Sequence, residues 1–255
     1  MTSTNATRHS SDDHGSVESW LVSGGRDRRP GSPLNVPPIP ASNYVLGEHR
    51  GYSRDDGTPG WEALEEILGG LERGSSVAFG SGMAGIAAIF DQLPAGSIVA
   101  LPDDCYQGVA GLAQAGQRRG RWTVLRVAVA DTARWIDLCG VADLIWLESP
   151  SNPLLTVGDV DIICAAPRKP DALLGVDNTF ATPINQRPLT LGADVAVQSV
   201  TKLSADTRTC SAASSPCATP TCWQRYGSPG SSRAQHPAPS RRFSRCAERE
   251  RWHCG

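Results

Sequence analysis

The sequence predicts an α/β protein with a mostly parallel sheet and flanking helices. Short apolar runs at 76–79, 97–101, 123–129, 143–148, 173–177 and 194–200 have strand length and are bounded by turn residues. Helical spacing of apolar residues fills most of the gaps, at 83–93, 105–117, 131–138 and 157–165. Polar residues gather where those strands end: Gly80-Ser81-Gly82, Asp103-Asp104, Glu148, Asp177, and Ser199 to Lys202. Ligands of open α/β sheets sit at the carboxyl ends of the strands.

Residues 1–50 read as an N-terminal arm. The first sixteen are polar, and 28–42 are proline-rich and extended. Residues 51–203 read as the folded domain. Thr58-Pro59 offers an N-cap followed by proline at the first helical position. Trp61, Leu64, Ile67, Leu68 and Leu71 then recur at helical spacing. The strand–helix alternation follows.

From Ser204 the character changes. Residues 204–255 contain no Leu, Ile or Val and are rich in Ser, Pro, Arg and Cys. They are net basic, whereas 1–203 are net acidic. Such a segment cannot bury enough apolar area to offset its ordering entropy, so its composition predicts disorder. It holds no long Lys/Arg block and no recognisable module, so no nucleic-acid partner is predicted. Of eight cysteines, Cys210, Cys217, Cys222, Cys246 and Cys254 lie there, with no C-x-x-C pair, which argues against a metal site. The N-terminus has no apolar signal region and no stretch is long enough to span a membrane, so a cytoplasmic protein with reduced thiols is expected.

Lys202 is the residue most suggestive of chemistry. It and Lys169 are the two lysines among 24 basic residues. An amine can lose its proton and attack a carbonyl; a guanidinium effectively cannot. Lys202 behind Ser199 and Thr201 therefore suggests a Schiff-base lysine beside two hydroxyls suited to a phosphate. Ser199 and Thr201 alternate along a strand, so both hydroxyls face one way.

Asp177, ending an apolar run, suits a pyridinium N–H. Tyr106 suits stacking on an aromatic ring, and Asn152 suits a phenolate oxygen. Each also has a plain structural reading, as strand-end cap, core tyrosine or turn residue. Gly80 to Gly85 follows a strand and opens a helix, which suits an anion. The same run matches G-x-G-x-x-G with Asp103 about 20 residues on, so a nicotinamide-binding Rossmann protein is an alternative. The histidines are scattered, and none is assigned a role.

Together these pieces resemble the Cys/Met-metabolism family of pyridoxal-phosphate (PLP) enzymes, which includes cystathionine γ-lyases and γ-synthases. The resemblance runs from about Val36 to Leu203. It rests on Tyr52-Ser53-Arg54, Ser81-Gly82-Met83, Asp104-Cys105-Tyr106, the ESPSNP run from Glu148, VDNTF from Val176, and Ser199-Val200-Thr201-Lys202, in family order.

It implies the fold-type-I PLP-transferase architecture. It implies that Lys202 carries the cofactor and shuttles protons, that Asp177 pairs with the pyridine nitrogen and that Tyr106 stacks on the ring. Gly82, Met83, Ser199 and Thr201 would hold the phosphate, with Ser81, Asn152 and Thr179 completing the cofactor set. Tyr52 and Arg54 would reach a neighbouring subunit's phosphate, which implies a homo-oligomer. The implied activity is γ-elimination or γ-replacement on cystathionine or homoserine esters.

The family continues after its lysine with a Gly-His-x-Asp run and a small C-terminal domain bearing the arginine for the substrate carboxylate. Here Ser204-Ala205-Asp206-Thr207 follows instead. The expected cause is a one-base deletion near codon 205, which would turn a family-like Ala-Gly-His-Thr-Asp-Leu-Leu into Ala205-Asp-Thr-Arg-Thr-Cys-Ser211. The expectation is a family member whose small domain is missing, with a catalytically inactive remnant as the alternative.

Overall fold

The computed structural model of this chain describes residues 16–47, 50–53 and 57–202, and the backbone of 221–225. The apolar runs become strands β1 (Ser75–Phe79), β2 (Ser97–Pro102), β3 (Trp122–Val127), β4 (Leu144–Glu148), β5 (Leu173–Asp177) and β6 (Val195–Ser199), joined by β7 (Thr221–Arg225). They form one sheet in the order β1-β7-β6-β5-β4-β2-β3. Every pairing from β3 across to β6 is parallel, and β7 runs antiparallel between β6 and β1. The helices are α1 (Val17–Ser23), α2 (Pro59–Glu72), α3 (Gly82–Phe90), α4 (Gln107–Arg118), α5 (Thr132–Cys139), α6 (Val160–Ala165), α7 (Thr182–Asn185) and α8 (Pro188–Leu191).

Strand alternation divides the core into two layers, because successive side chains point to opposite faces. Leu144 and Trp146 join Phe90, Leu101, Trp122, Val195 and Val197 on one face. Ile145 and Leu147 join Trp135, Leu138, Ile163, Leu174 and Val176 on the other. Both faces are covered, which is why the strands read as near-continuous apolar runs rather than alternating ones.

Trp146 is fully buried, 5.9 Å from Phe90 between ring centroids. Gly175 makes room for it, since a Cβ there would lie 2.9 Å from Trp146 Cε3. We expect Trp146→Ala to destabilise the domain by about 3–5 kcal/mol. Urea unfolding of both chains checks this; a loss within 1 kcal/mol would mean that the site collapses around the gap.

Local signals explain where the second helix starts and stops. Thr58 Oγ1 accepts from Trp61 N at 3.2 Å, with Pro59 next. Arg73 turns left-handed at φ 62°, and Gly74 N donates back to Gly69 O at 2.9 Å.

The arm holds a helix that periodicity does not announce, α1, whose seven residues are too few for a pattern. Its anchor is tertiary. Trp20 Nε1 donates to Ile67 O at 2.8 Å, and its ring lies where a Cβ on Gly70 would come within 2.1 Å. The short helices α7 and α8 likewise lie in stretches the periodicity leaves unassigned.

β7 lies within 204–255, where composition predicts disorder, yet its backbone pairs on both sides, with Ser75–Phe79 and with Val195–Ser199. Ladder pairing needs backbone groups rather than Leu, Ile or Val, so composition does not reveal it.

Candidate active site

β4, β5 and β6 all end on polar residues, Glu148, Asp177 and Ser199. Glu148 lies opposite Asp177, and Asp177 opposite Val197. Their ends open onto a cavity of about 330 Å³. Asp177, Thr179, Ser199, Thr201 and Lys202 line it from β5, β6 and the turns that follow them. Ser81, Gly82 and Met83 line it from the start of α3, Tyr106 from the cap of α4, and Glu148 and Asn152 from the end of β4 and its loop.

β6 stops at Ser199, so Thr201 is not on a strand as the alternation suggests. Residues 200–202 form a turn in which Lys202 N donates to Ser199 O at 3.1 Å. The turn still brings the hydroxyls together, with Ser199 Oγ 3.2 Å from Thr201 Oγ1. Thr179 Oγ1 accepts from Ser199 N at 2.9 Å and ties the two strand ends. Lys202 is exposed, and it is the only cation among the described residues that line the cavity.

Opposite this cluster, α3 begins. Ser81 Oγ accepts from Ala84 N at 3.1 Å. Helix geometry leaves the Gly82 and Met83 amides without intrahelical acceptors, at the positive end of the helix dipole. An anion between this helix start and the hydroxyl pair meets donors from both sides.

Two carboxyls share the floor. Asp177 is 8% exposed, and its Oδ1 accepts from Thr179 N at 3.1 Å. Burial pushes its pKa up, against hydrogen bonds from Thr179. Glu148 is 6% exposed and accepts from Tyr106 N at 2.8 Å. Burial first, then the charge of Asp177, pushes Glu148 up to about 8. Glu148 therefore holds its proton at neutral pH, which spares Asp177 a like-charge neighbour.

The structure thus brings Ser81, Gly82, Met83, Tyr106, Asn152, Asp177, Thr179, Ser199, Thr201 and Lys202 to one cavity. Tyr52 is not among the lining residues; it bridges to Asn43. Arg54 lies outside the described residues. Glu148, Pro150, Phe180 and Val197 also line the cavity, and sequence reasoning gave them no role. Glu148 had one usable signal, a carboxyl at a strand end beside another strand-end carboxyl. The nicotinamide alternative falls on the sheet order, which is not the 3-2-1-4-5-6 arrangement of a dinucleotide fold. Asp103 is absent from the lining, and its carboxylate accepts from Asp104 N at 2.8 Å.

The cavity suits pyridoxal phosphate on its own chemistry. Burial disfavours the Asp177 carboxylate, and a pyridinium N–H beside it would favour the charged form. Hydroxyls and free helix amides suit the phosphate, and a lysine amine suits the aldehyde.

Comparison with known proteins agrees. The chain is 41% identical over 177 residues to a putative cystathionine gamma-lyase of Streptomyces coelicolor, covering 65% of this chain and 44% of that one. It is 37% identical over 198 residues to a cystathionine beta-lyase of Lactococcus lactis, covering 73% and 51%. Among solved structures, cystathionine gamma synthase of Xanthomonas oryzae in complex with cystathionine superposes with a TM-score of 0.74 at 25% identity, covering 92% of this chain and 59% of that one. The chain spans about half the length of the curated relatives it matches. The model of the Cys/Met metabolism PLP-dependent enzymes matches residues 41–205, and the chain belongs to that family.

Proposed function

We propose that this chain binds pyridoxal 5'-phosphate at Lys202 and serves γ-elimination or γ-replacement on cystathionine or homoserine esters. The observation that carries this is the convergence of Lys202, Asp177 and the Ser199–Thr201 hydroxyl pair on one cavity. When bound, the cofactor supplies an aldehyde carbon for an amine and a ring that stores the electron pair released at the substrate α-carbon.

The protein's part is to bind, orient and move protons. Asp177 holds the ring nitrogen in its protonated form, and Tyr106 packs on the ring face. Asn152 takes the phenolate oxygen, while Gly82, Met83, Ser199 and Thr201 take the phosphate, with Ser81 and Thr179 framing them. Lys202 Nζ removes the substrate α-proton and returns a proton later in turnover.

We place Tyr52 and Arg54 at the phosphate of a second copy, which makes the working unit a homo-oligomer. The support is a cavity lining that lacks Tyr52 and a neighbouring apolar pair, Val45 and Leu46, that is 91% and 87% exposed. A reducing, cytoplasmic setting fits the buried free thiols of Cys105, Cys139 and Cys164. No helix among the described residues is long and apolar enough to cross a membrane.

A second reading is a remnant that holds the cofactor without turnover. It is favoured by the family match ending at residue 205 and by the change of composition there. Incubating the purified chain with PLP and either cystathionine or a homoserine ester plus cysteine separates the two. The enzyme reading expects a visible absorption band together with cysteine, a 2-oxo acid and ammonia from cystathionine, or cystathionine and the free acid from the ester and cysteine. The band without products supports the remnant, and absence of the band overturns the cofactor reading.

A further inference from the structure

Behind the cavity floor lies a polar cluster that the proposed chemistry does not use. Glu72, in the last turn of α2, is fully buried. Its Oε1 accepts from Asn178 Nδ2 at 3.0 Å and from Gln198 Nε2 at 2.6 Å. Asn178 follows Asp177, and Gln198 precedes Ser199, so the cluster grips both strand ends just behind the cavity. Gln186 closes it: Asn178 Nδ2 also donates to Gln186 O at 2.8 Å, and Gln186 Nε2 donates to Asn178 Oδ1 at 3.0 Å.

The remaining oxygens of the bonded pair, Glu72 Oε2 and Gln198 Oε1, are both buried acceptors without a partner among the described residues. Two acceptors cannot satisfy each other, and a buried acceptor left unpaired is costly. One proton removes both vacancies, because a carboxyl O–H donates to an amide oxygen while the amide N–H donates back.

We propose that Glu72 is a neutral acid, paired on both edges with the Gln198 amide, and acts as a positioning residue for the strand ends that carry Asp177 and Ser199. Among the residues whose side chains are described, the charged groups on elements packed against α2 are Glu18 of α1 and Arg187 ahead of α8; Arg187 opposes the neutral form and draws the Glu72 pKa down. Burial outweighs it and pushes Glu72 up to about 7.

Sign and window follow. The folded chain holds this proton between the ordinary carboxylate range and about 7, while the unfolded chain has released it. Folding is therefore favoured at the acid end and weakens as pH rises.

Glu72→Gln decides the matter, because its amide offers Gln198 the same donor and acceptor at every pH. Purified wild type and Glu72→Gln are unfolded in urea across this range. We expect the folded-to-unfolded ratio of wild type, relative to Glu72→Gln, to fall about tenfold per pH unit from about pH 5 to about pH 7 and then level off. Parallel pH profiles would overturn the neutral acid. So would a Glu72→Gln chain that does not fold, since a satisfied isostere should.

The positioning role rests on the proposed cofactor reading and has its own measurement. Titration with PLP, followed by visible absorbance, should show wild-type affinity weakening several-fold relative to Glu72→Gln as pH passes 7. Equal profiles would overturn positioning. Failure of both chains to bind PLP would overturn positioning together with the cofactor reading, and the urea series still decides the acid–amide pair.

Discussion

Lys202→Ala is expected to abolish the visible absorption band that PLP gives with the chain, and with it at least about 10³-fold of any turnover, a loss typical of removing a covalent nucleophile that also moves protons. Lys202→Arg should fail equally. A guanidinium keeps the charge and reach but stays protonated and cannot attack an aldehyde. Borohydride treatment followed by peptide mass analysis gives the positive counterpart, with cofactor mass on the peptide containing Lys202 and none on that containing Lys169. Lys169 cannot substitute, because its ammonium pairs with Asp143 at 2.6 Å and donates to Val141 O at 3.2 Å, away from the cavity. A Lys202→Ala chain that keeps the band would refute the assignment of the amine.

Asp177→Asn is expected to separate binding from chemistry. The amide keeps the shape of the carboxylate and can keep the Thr179 N–H contact that Oδ1 makes at 3.1 Å. It cannot hold the ring nitrogen protonated, so the ring loses most of its capacity as an electron store. We expect the Lys202-dependent band to persist while turnover falls by about 10²-fold or more, the scale seen when one preorganised electrostatic contact is removed. Unchanged turnover would place the nitrogen's partner elsewhere. Glu148 is the nearest alternative carboxyl in register; the substitution removes the Asp177 charge that helps raise its pKa, but burial, the larger cause, remains and disfavours its anion.

Sequence reasoning found the strand alternation because both faces of the sheet are buried, which leaves β2, β4, β5 and β6 as unbroken apolar runs. It found the cavity residues because strand ends in such a sheet converge, so local motifs far apart in the chain meet on one edge. It erred where geometry is not periodic. Thr201 was expected to share a strand with Ser199; their hydroxyls meet through a turn instead. Glu148 was visible as a strand-end carboxyl, but its proton depends on burial and on Asp177, neither of which a linear sequence displays.

Residue types and their local spacing by themselves determined the α/β class, the helix cap at Thr58, the family, and the candidate amine at Lys202. These depend on neighbours within a turn or a strand, so they are written locally. Tertiary structure alone decided three things: the antiparallel insertion of Thr221–Arg225 between β1 and β6, the burial that keeps a proton on Glu148, and the meeting of Glu72 with Asn178 and Gln198, 106 and 126 residues away. The physical reason is common to all three. Backbone pairing, desolvation and the matching of donors to acceptors are set by what chain closure brings together, and no residue carries that information in its own side chain.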